Sequence, residues 1–205
     1  MVGTWKIEVN VGGMPQKVAS AFTDFSDKIL GAEYTPIAYL GSQLVNGINH
    51  AVLAEQLLTV GRDVKNVVIV FFNEKEDKVT MCGIERVLEM GDPMGGIKVD
   101  VLTPIPVDER KLFDETFEGF VGSKVEPFAY LGSQVVKGKN HFYAATVTPV
   151  VENPTPAVVI ITINDMTKDV SFFDVLSSKG EIASLGYAFT WLKNTSFGKP
   201  LGEWP

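Results

Sequence analysis

The sequence is short of the residues that build most catalytic and structural metal sites. Its 205 residues include one cysteine, Cys82, and two histidines, His50 and His141. A single cysteine excludes an intramolecular disulfide framework and a zinc cage made of cysteines. Neither histidine has an acidic or histidine partner at metal-ligand spacing, so we expect no metal and no other cofactor, and we interpret both as surface or cross-strand packing residues. Cys82 stands in an apolar stretch and is predicted to be a buried, inert thiol.

Concentrated positive charge and long apolar runs are also absent. The chain has 18 Lys and Arg against 25 Asp and Glu, a net charge of −7 and a pI near 4.9. Nucleic-acid binding depends on clustered cations, so we expect no nucleic-acid partner. No apolar run approaches the roughly 20 residues that cross a bilayer, so we expect no membrane partner. The first residues lack a cationic segment followed by an apolar stretch, which favours a cytoplasmic protein and leaves a secreted mature form open.

What the chain does contain is an internal repeat. The sequence Tyr-Leu-Gly-Ser-Gln at 39–43 recurs at 130–134, an offset of 91 residues. At this offset 31–50 aligns with 122–141 without a gap, and twelve of the twenty positions are identical. Self-similarity of this kind indicates a tandem duplication.

The duplication divides the chain into three segments. We predict a first domain at 1–91, a second at 92–182 and a C-terminal tail at 183–205. The boundary after Gly91 is rich in glycine and proline, which is typical of a turn between domains. The tail is too apolar to be a disordered end, so we expect it to dock on the second domain, and we expect a monomer of two domains.

Each unit is predicted to begin with a strand and a helix, followed by four more strands. In the first unit, alternating apolar and charged residues from Trp5 predict a half-buried strand. A helix then begins near Pro15, which a first helical turn tolerates, and ends at Gly31. The inward helical residues are Val18, Ala21, Phe22, Phe25 and Ile29 in the first unit and Leu112, Phe113, Phe117, Phe120 and Val121 in the second. The later strands are predicted at 34–45, 48–60, 66–73 and 78–89, with counterparts 91 residues later.

This order of elements predicts an α+β fold. Each unit would consist of one helix packed on a four- to five-stranded antiparallel sheet. Asn46-Gly47 between the first two of the later strands favours a tight hairpin, because glycine accepts a positive φ. Lys137-Gly138 stands at the equivalent place in the second unit.

These two hairpins carry the most informative motif of the sequence. The segments are Gln43-Leu44-Val45-Asn46-Gly47 and Gln134-Val135-Val136-Lys137-Gly138. Both fit Gln-x-Val-x-Gly and resemble the hairpin loop of cystatins, which inhibit papain-like cysteine proteases. Because it lacks disulfides, the chain most resembles the stefin subgroup of that family. The resemblance extends over both units.

The resemblance implies a fold of two tandem cystatin-like domains and a protein that is not an enzyme. In that family a wedge of three segments enters the protease cleft: an N-terminal trunk with a glycine, the Gln-x-Val-x-Gly hairpin and the last hairpin loop. Carried over by position, the trunk glycine would be Gly3 in the first unit and Gly95 or Gly96 in the second. The second trunk would be tethered, because it lies in the joint between the units.

The sequence also departs from the family pattern, and other functions stay open. Asn46 and Lys137 replace the alanine found in many cystatins, and the last hairpins lack the usual apolar contact. One alternative is a latexin-like arrangement, in which both units together block a metallocarboxypeptidase. Another is a binding scaffold without a protease target. Burial of the tip residues between the units would favour the scaffold; these residues are Leu44, Val45, Val135 and Val136.

Overall fold

The computed structural model describes residues 3–59, 61, 63–91 and 95–177, and the predicted tail at 183–205 lies outside these residues. Within them the chain is α+β, with two helices and two five-stranded antiparallel sheets. The first half contains β1 (Trp5–Val11), α1 (Gln16–Ser26), β2 (Ala32–Leu44), β3 (Ile48–Leu58), β4 (Val64–Lys75) and β5 (Lys78–Glu89). The second half contains β6 (Ile97–Leu102), α2 (Val107–Phe117), β7 (Ser123–Val136), β8 (Gly138–Pro149), β9 (Ala157–Asn164) and β10 (Val170–Ser177).

The two halves repeat one topology. Each sheet is a meander in which neighbouring strands follow one another along the chain, β1 to β5 in the first half and β6 to β10 in the second. Trp5 pairs with Gln43, and Ile97 pairs with Gln134. The first strand of the second unit is therefore displaced by one residue relative to the offset of 91 that relates the rest of the repeat.

Apolar residues form three clusters, and these define four layers. The inner faces of the two sheets meet in a central cluster that includes Leu40, Leu53, Ile69, Leu131, Phe142 and Ile160. On the outer face of the first sheet α1 packs through Val18, Phe22 and Phe25, and on that of the second sheet α2 packs through Phe113. Each half thus has its own helix-covered core, and the two halves also share the core between the sheets.

The alternation along β3 shows how one strand serves two cores. Ala51 and Leu53 belong to the central cluster, whereas Val52 and Ala54 belong to the cluster under α1. Consecutive residues of a strand point to opposite faces, so a strand covered on both faces is apolar without interruption. This explains why the middle strands of the sequence lack a clear alternation of apolar and polar residues.

The glycine of the repeated Tyr-Leu-Gly-Ser-Gln motif has a structural role. Gly41 has φ +149, and a Cβ on it would collide with the main-chain oxygen of Lys6 in β1. Gly132 has φ +141 and is equally close to the main-chain oxygen of Lys98 in β6. The strand register shifts at both places. Only glycine combines this backbone conformation with so close an approach of the neighbouring strand.

The predicted inward residues at the end of the second helix are wrong. Phe120 is 50% exposed and Val121 is 85% exposed. The helix ends at Phe117, since Glu118 has ψ 124° and Gly119 has φ +73°. The chain therefore leaves the helical path before the apolar periodicity reaches these two residues.

The first helix is also shorter than predicted, and the cysteine is not buried. Helix α1 ends at Ser26 instead of Gly31, although Ile29 still packs against the cluster under the helix. Cys82 is exposed, which contradicts the predicted buried thiol. Its strand, β5, pairs with β4 alone and forms an edge of the sheet. An edge strand leaves one flank open to solvent, and an apolar sequence by itself does not reveal that position.

Candidate functional site

Three separate segments meet at one end of the first sheet. The side-chain amide of Gln43 donates to the main-chain oxygen of Gly3 at 2.7 Å, which holds the N-terminal segment against the β2–β3 hairpin. Ile48, at the base of that hairpin, pairs with Glu74 of β4. A Cβ on Gly47 would lie 2.5 Å from the main-chain oxygen of Glu74, so the two hairpins touch. We call this surface, formed by Gly3, 44–48 and 74–78, the first edge.

The tip of the first edge is aliphatic, exposed and internally fixed. Leu44 is 71% exposed and Val45 is partly exposed. The main-chain nitrogen of Val45 donates to the oxygen of Gly47 at 2.9 Å. Asn46 has φ +43 and Gly47 has φ +113, which confirms the tight hairpin that the Asn-Gly sequence predicts. The tip residues are therefore not buried between the two units.

The second sheet carries an equivalent surface with different chemistry. The side-chain amide of Gln134 donates to the main-chain oxygen of Gly95 at 2.9 Å. Val135 is 71% exposed and Val136 is 38% exposed. Met166, in the last hairpin, is exposed where the first unit has charged residues. We call this surface, formed by 95–96, 135–139 and 165–168, the second edge.

The trunk of the second edge, at Gly95 and Gly96, lies next to the residue that follows the last strand of the first sheet. Gly91, just beyond β5, donates its main-chain N–H to the oxygen of Ile97 at 3.0 Å. A Cβ on Gly91 would lie 2.8 Å from the Cα of Gly96. Strand β6 then lies close to β4 and β5. The second trunk therefore lies against the end of the first sheet.

Below each edge lies a buried histidine that contacts a tyrosine and faces a carboxylate. In the first unit the Tyr39 hydroxyl lies 2.9 Å from Nδ1 of His50, and Nε2 of His50 lies 3.4 Å from a carboxylate oxygen of Glu74. Burial lowers the pKa of His50, and the Glu74 carboxylate opposes this effect in part. Burial raises the pKa of Tyr39. The interpretation of the histidines as cross-strand packing residues fits their position, and their polar partners were not predicted.

In the second unit the same arrangement is looser. The Tyr130 hydroxyl lies 3.2 Å from Nδ1 of His141, and Nε2 of His141 lies 3.8 Å from Asp165. The pKa of His141 is lowered mainly by burial and also by the charge of Lys139. Burial raises the pKa of Tyr130 to about 12. The sequence signal for both groups is that tyrosine, histidine and acid each recur at the offset of 91 residues.

A lysine from the helix joins the group of the first unit. Lys17 of α1 lies 2.8 Å from Glu74 and 2.8 Å from Asp77, in the turn after β4. Its hydrogen bonds, and to a smaller extent its charge, lower the pKa of both carboxyl groups. The residue at the equivalent position of α2 is Asp108, and Asp165 instead accepts a hydrogen bond at 2.8 Å from the main-chain nitrogen of Lys139. Only the first edge is therefore joined to its helix by such an ion pair among the described residues.

The glutamine of the hairpin motif also has partners inside the fold. Asn49 donates to the side-chain oxygen of Gln43 at 3.2 Å, and Asn73 donates to Asn49 at 2.7 Å. In the second unit Asn164 donates to Asn140 at 2.8 Å. In the first unit the amides of Gln43, Asn49 and Asn73 thus join three adjacent strands beneath the first edge. The glutamine therefore stabilises the hairpin and the trunk, a role that the sequence interpretation did not include.

The described residues contain no group of three or more His, Cys, Asp or Glu side chains that could hold a metal ion. In the same part of the chain, neither helix is long and apolar enough to cross a membrane. A comparison with protein-family models finds no match, and a comparison with curated protein sequences finds no similar one.

Proposed function

We propose that this protein inhibits papain-like cysteine proteases by inserting the first edge into the active-site cleft. The observation that carries the proposal is the convergence of three segments on an exposed aliphatic tip: Gly3, the β2–β3 hairpin and the β4–β5 turn. The Gln-x-Val-x-Gly resemblance names the same three segments as the inhibitory wedge of cystatins. The site supports the proposal and the fold does not, because one fold serves many functions.

The geometry of the tip favours tight docking. The hydrogen bond from Val45 to Gly47 fixes the turn before binding, so little conformational entropy is lost on association. Leu44 projects an aliphatic side chain that a cleft can desolvate. A buried anchor of this kind contributes about 2 kcal/mol or more to binding. Side-chain amides hold the hairpin from below, which keeps the tip rigid.

The first edge is a better wedge than the second. The second trunk, at Gly95 and Gly96, packs against Gly91 at the end of the first sheet, so part of its surface is already covered. The second hairpin also carries Lys137 and Lys139 where the first has Asn46 and Ile48. We therefore assign inhibition to the first unit and treat the second as its packing partner.

Active-site titration of papain with the whole chain tests the proposal. The wild-type protein should inhibit at or below micromolar concentration, and Leu44→Asp should raise the inhibition constant by roughly 30-fold, which corresponds to about 2 kcal/mol. The matched control is Val135→Asp, at an equally exposed position of the second edge, and it should leave the inhibition constant unchanged. Absence of inhibition by the wild-type chain at micromolar concentration contradicts the proposal.

A second candidate is a binding scaffold without a protease target. It is favoured by the central core, because the inner faces of the two sheets pack against each other and join the two units. The structural roles of Gly41 and Gln43 also account for part of the repeated motif without a partner. The titration separates the two functions, and a parallel assay with a metallocarboxypeptidase tests the latexin-like arrangement.

A further inference from the structure

A continuous row of polar side chains runs from the interior of the first unit to its edge. It begins at the Tyr39 hydroxyl, passes through the His50 ring and reaches Glu74, which Lys17 holds from the helix. We propose that His50 is a proton-sensitive positioning residue, whose protonation rearranges Glu74 and thereby the first edge. The consequence for protease inhibition rests on the function proposed above, whereas the structural change in the first edge does not.

The neighbours of His50 determine which ring nitrogen carries the proton when the ring is neutral. A tyrosine hydroxyl has one proton to donate, and Nδ1 of a neutral ring accepts it when the ring proton is on Nε2. Nε2 then directs its N–H towards Glu74 at 3.4 Å, a long contact that lacks the geometry of a hydrogen bond. A buried nitrogen without a hydrogen bond has free energy to gain from a closer carboxylate.

Protonation changes both contacts of the ring. Each ring nitrogen of an imidazolium is a donor, so the Tyr39 hydroxyl can no longer donate to Nδ1 and has to accept instead. The positive ring attracts the Glu74 carboxylate, and because the ring is buried while the carboxylate is partly exposed, water screens this attraction only in part. Glu74 is then drawn away from Lys17, and Lys17 also holds Asp77 of the adjacent turn.

This rearrangement acts directly on the first edge. Glu74 pairs through its main chain with Ile48, and its main-chain oxygen is in close contact with Gly47. A displacement of Glu74 therefore moves the base of the β2–β3 hairpin together with the β4–β5 turn. The position of the aliphatic tip relative to the trunk changes as a result.

The groups that surround His50 come from four elements of the first unit. Tyr39 on β2 contacts the ring, and the charge of Glu8 on β1 raises the pKa of Tyr39. Glu74 on β4 faces Nε2 of the ring and also forms an ion pair with Lys17 on α1. Burial lowers the pKa of His50 from 6.5, and Glu74 raises it in part. Between pH 6.5 and this lower value the unfolded chain binds more protons than the folded chain. Acidification through this window therefore decreases stability.

The second unit supplies a natural control. Its tyrosine and carboxylate lie farther from the histidine, at 3.2 and 3.8 Å, and the carboxylate of Asp165 is held by a main-chain N–H of the hairpin. No lysine of α2 stands where Lys17 stands in α1. Titration of His141 should therefore move the second edge less than titration of His50 moves the first.

Nuclear magnetic resonance of the full chain tests the structural part. The two imidazoles, assigned with His50→Gln and His141→Gln, should both titrate below pH 6.5, and amide signals of 44–48 and 74–78 should follow the curve of His50. In the His50→Gln variant those amide signals should no longer show this titration. In the Glu74→Gln variant the pKa of His50 should fall further, because the carboxylate that raises it is gone. First-edge amides that ignore the titration of His50, or that respond equally in His50→Gln, overturn the proposal.

Inhibition of papain as a function of pH tests the functional part. The ratio of the inhibition constants of wild type and His50→Gln cancels the pH dependence of the protease itself. This ratio should rise by about fivefold or more between pH 7 and pH 5, as expected for coupling between two sites. A constant ratio overturns the regulatory effect. Absence of inhibition at every pH overturns the proposed function instead, and the resonance experiment then still decides whether His50 positions the first edge.

Discussion

The two units of the chain have the same buried framework and different exposed edges. Leu40 and Leu131 occupy equivalent places in the central core, and Gly41 and Gly132 allow the same close approach of the first strand. The edges differ in the charge of the hairpins and in the contacts of the trunk, since Gly96 lies against Gly91. Packing constrains every buried atom of a close-packed core, whereas exposed turns accept many side chains. The differences between the units are therefore found mainly on exposed surfaces.

The largest expected effect comes from the core that the two units share. Leu40→Ala should lower the free energy of unfolding by about 3–5 kcal/mol, because it leaves a cavity between two sheets. Leu131→Ala should cost a similar amount. Either change should reduce hydrogen-exchange protection in both sheets, since the central cluster joins them. Loss of protection confined to the sheet that carries the change would show that the units are energetically independent.

The next effect concerns the glycine that the units have in common. Gly41→Ala and Gly132→Ala should each destabilise the protein by about 2–3 kcal/mol, because the new Cβ collides with the neighbouring strand and the residue has a positive φ. Gly12→Ala is the control, since Gly12 has φ +76 but no atom within 4 Å of the added Cβ. Chemical denaturation measures all three, and an equal cost at Gly12 would mean that the close approach contributes nothing.

A smaller effect should distinguish the two tyrosine–histidine groups. Tyr39→Phe removes the hydroxyl that lies 2.9 Å from His50 and should cost about 1–2 kcal/mol, because a buried nitrogen loses its partner. Tyr130→Phe removes a longer contact of 3.2 Å to His141 and should cost less. Equilibrium unfolding at pH 7.5, where both rings are neutral, measures the difference. A larger cost in the second unit would contradict the order of the two distances.

The smallest effect is expected at the exposed tips. Leu44→Ser and Val135→Ser should change the free energy of unfolding by less than about 0.5 kcal/mol, since both side chains are largely in solvent. The same unfolding measurements apply, with papain inhibition as the second readout for Leu44→Ser. A substantial loss of stability at either position would show that the tip packs against the fold and is not available for binding.

The order of helices and strands was largely predictable from the sequence, because the duplicated sequence shows the same pattern in both halves. The offset of 91 residues, the Asn-Gly turn and the apolar faces of the helices predict a strand, a helix and a meander in each half. The errors at Phe120, Val121 and Cys82 arise where the end of a helix or the edge of a sheet decides burial. Local periodicity continues through such places and does not report what covers them.

The candidate site was predictable only in part. The hairpin residues from Gln43 to Gly47 follow from the motif, and the structure places the trunk residue Gly3 beside them. The partners of His50 were missed, because Glu74 lies 24 residues farther along the chain and Lys17 lies on the helix. Contacts between distant segments depend on strand register, which the sequence pattern does not specify.

By itself the sequence determined the duplication, the order of elements in each half and the tight turns at the hairpin tips, because these depend on neighbouring residues and on repeated spacing. Tertiary structure alone decided that the two sheets bury a face against each other and that a buried histidine beneath each edge faces a carboxylate. These features arise from packing between segments far apart in the chain. The free energy of such packing depends on which surfaces meet in three dimensions.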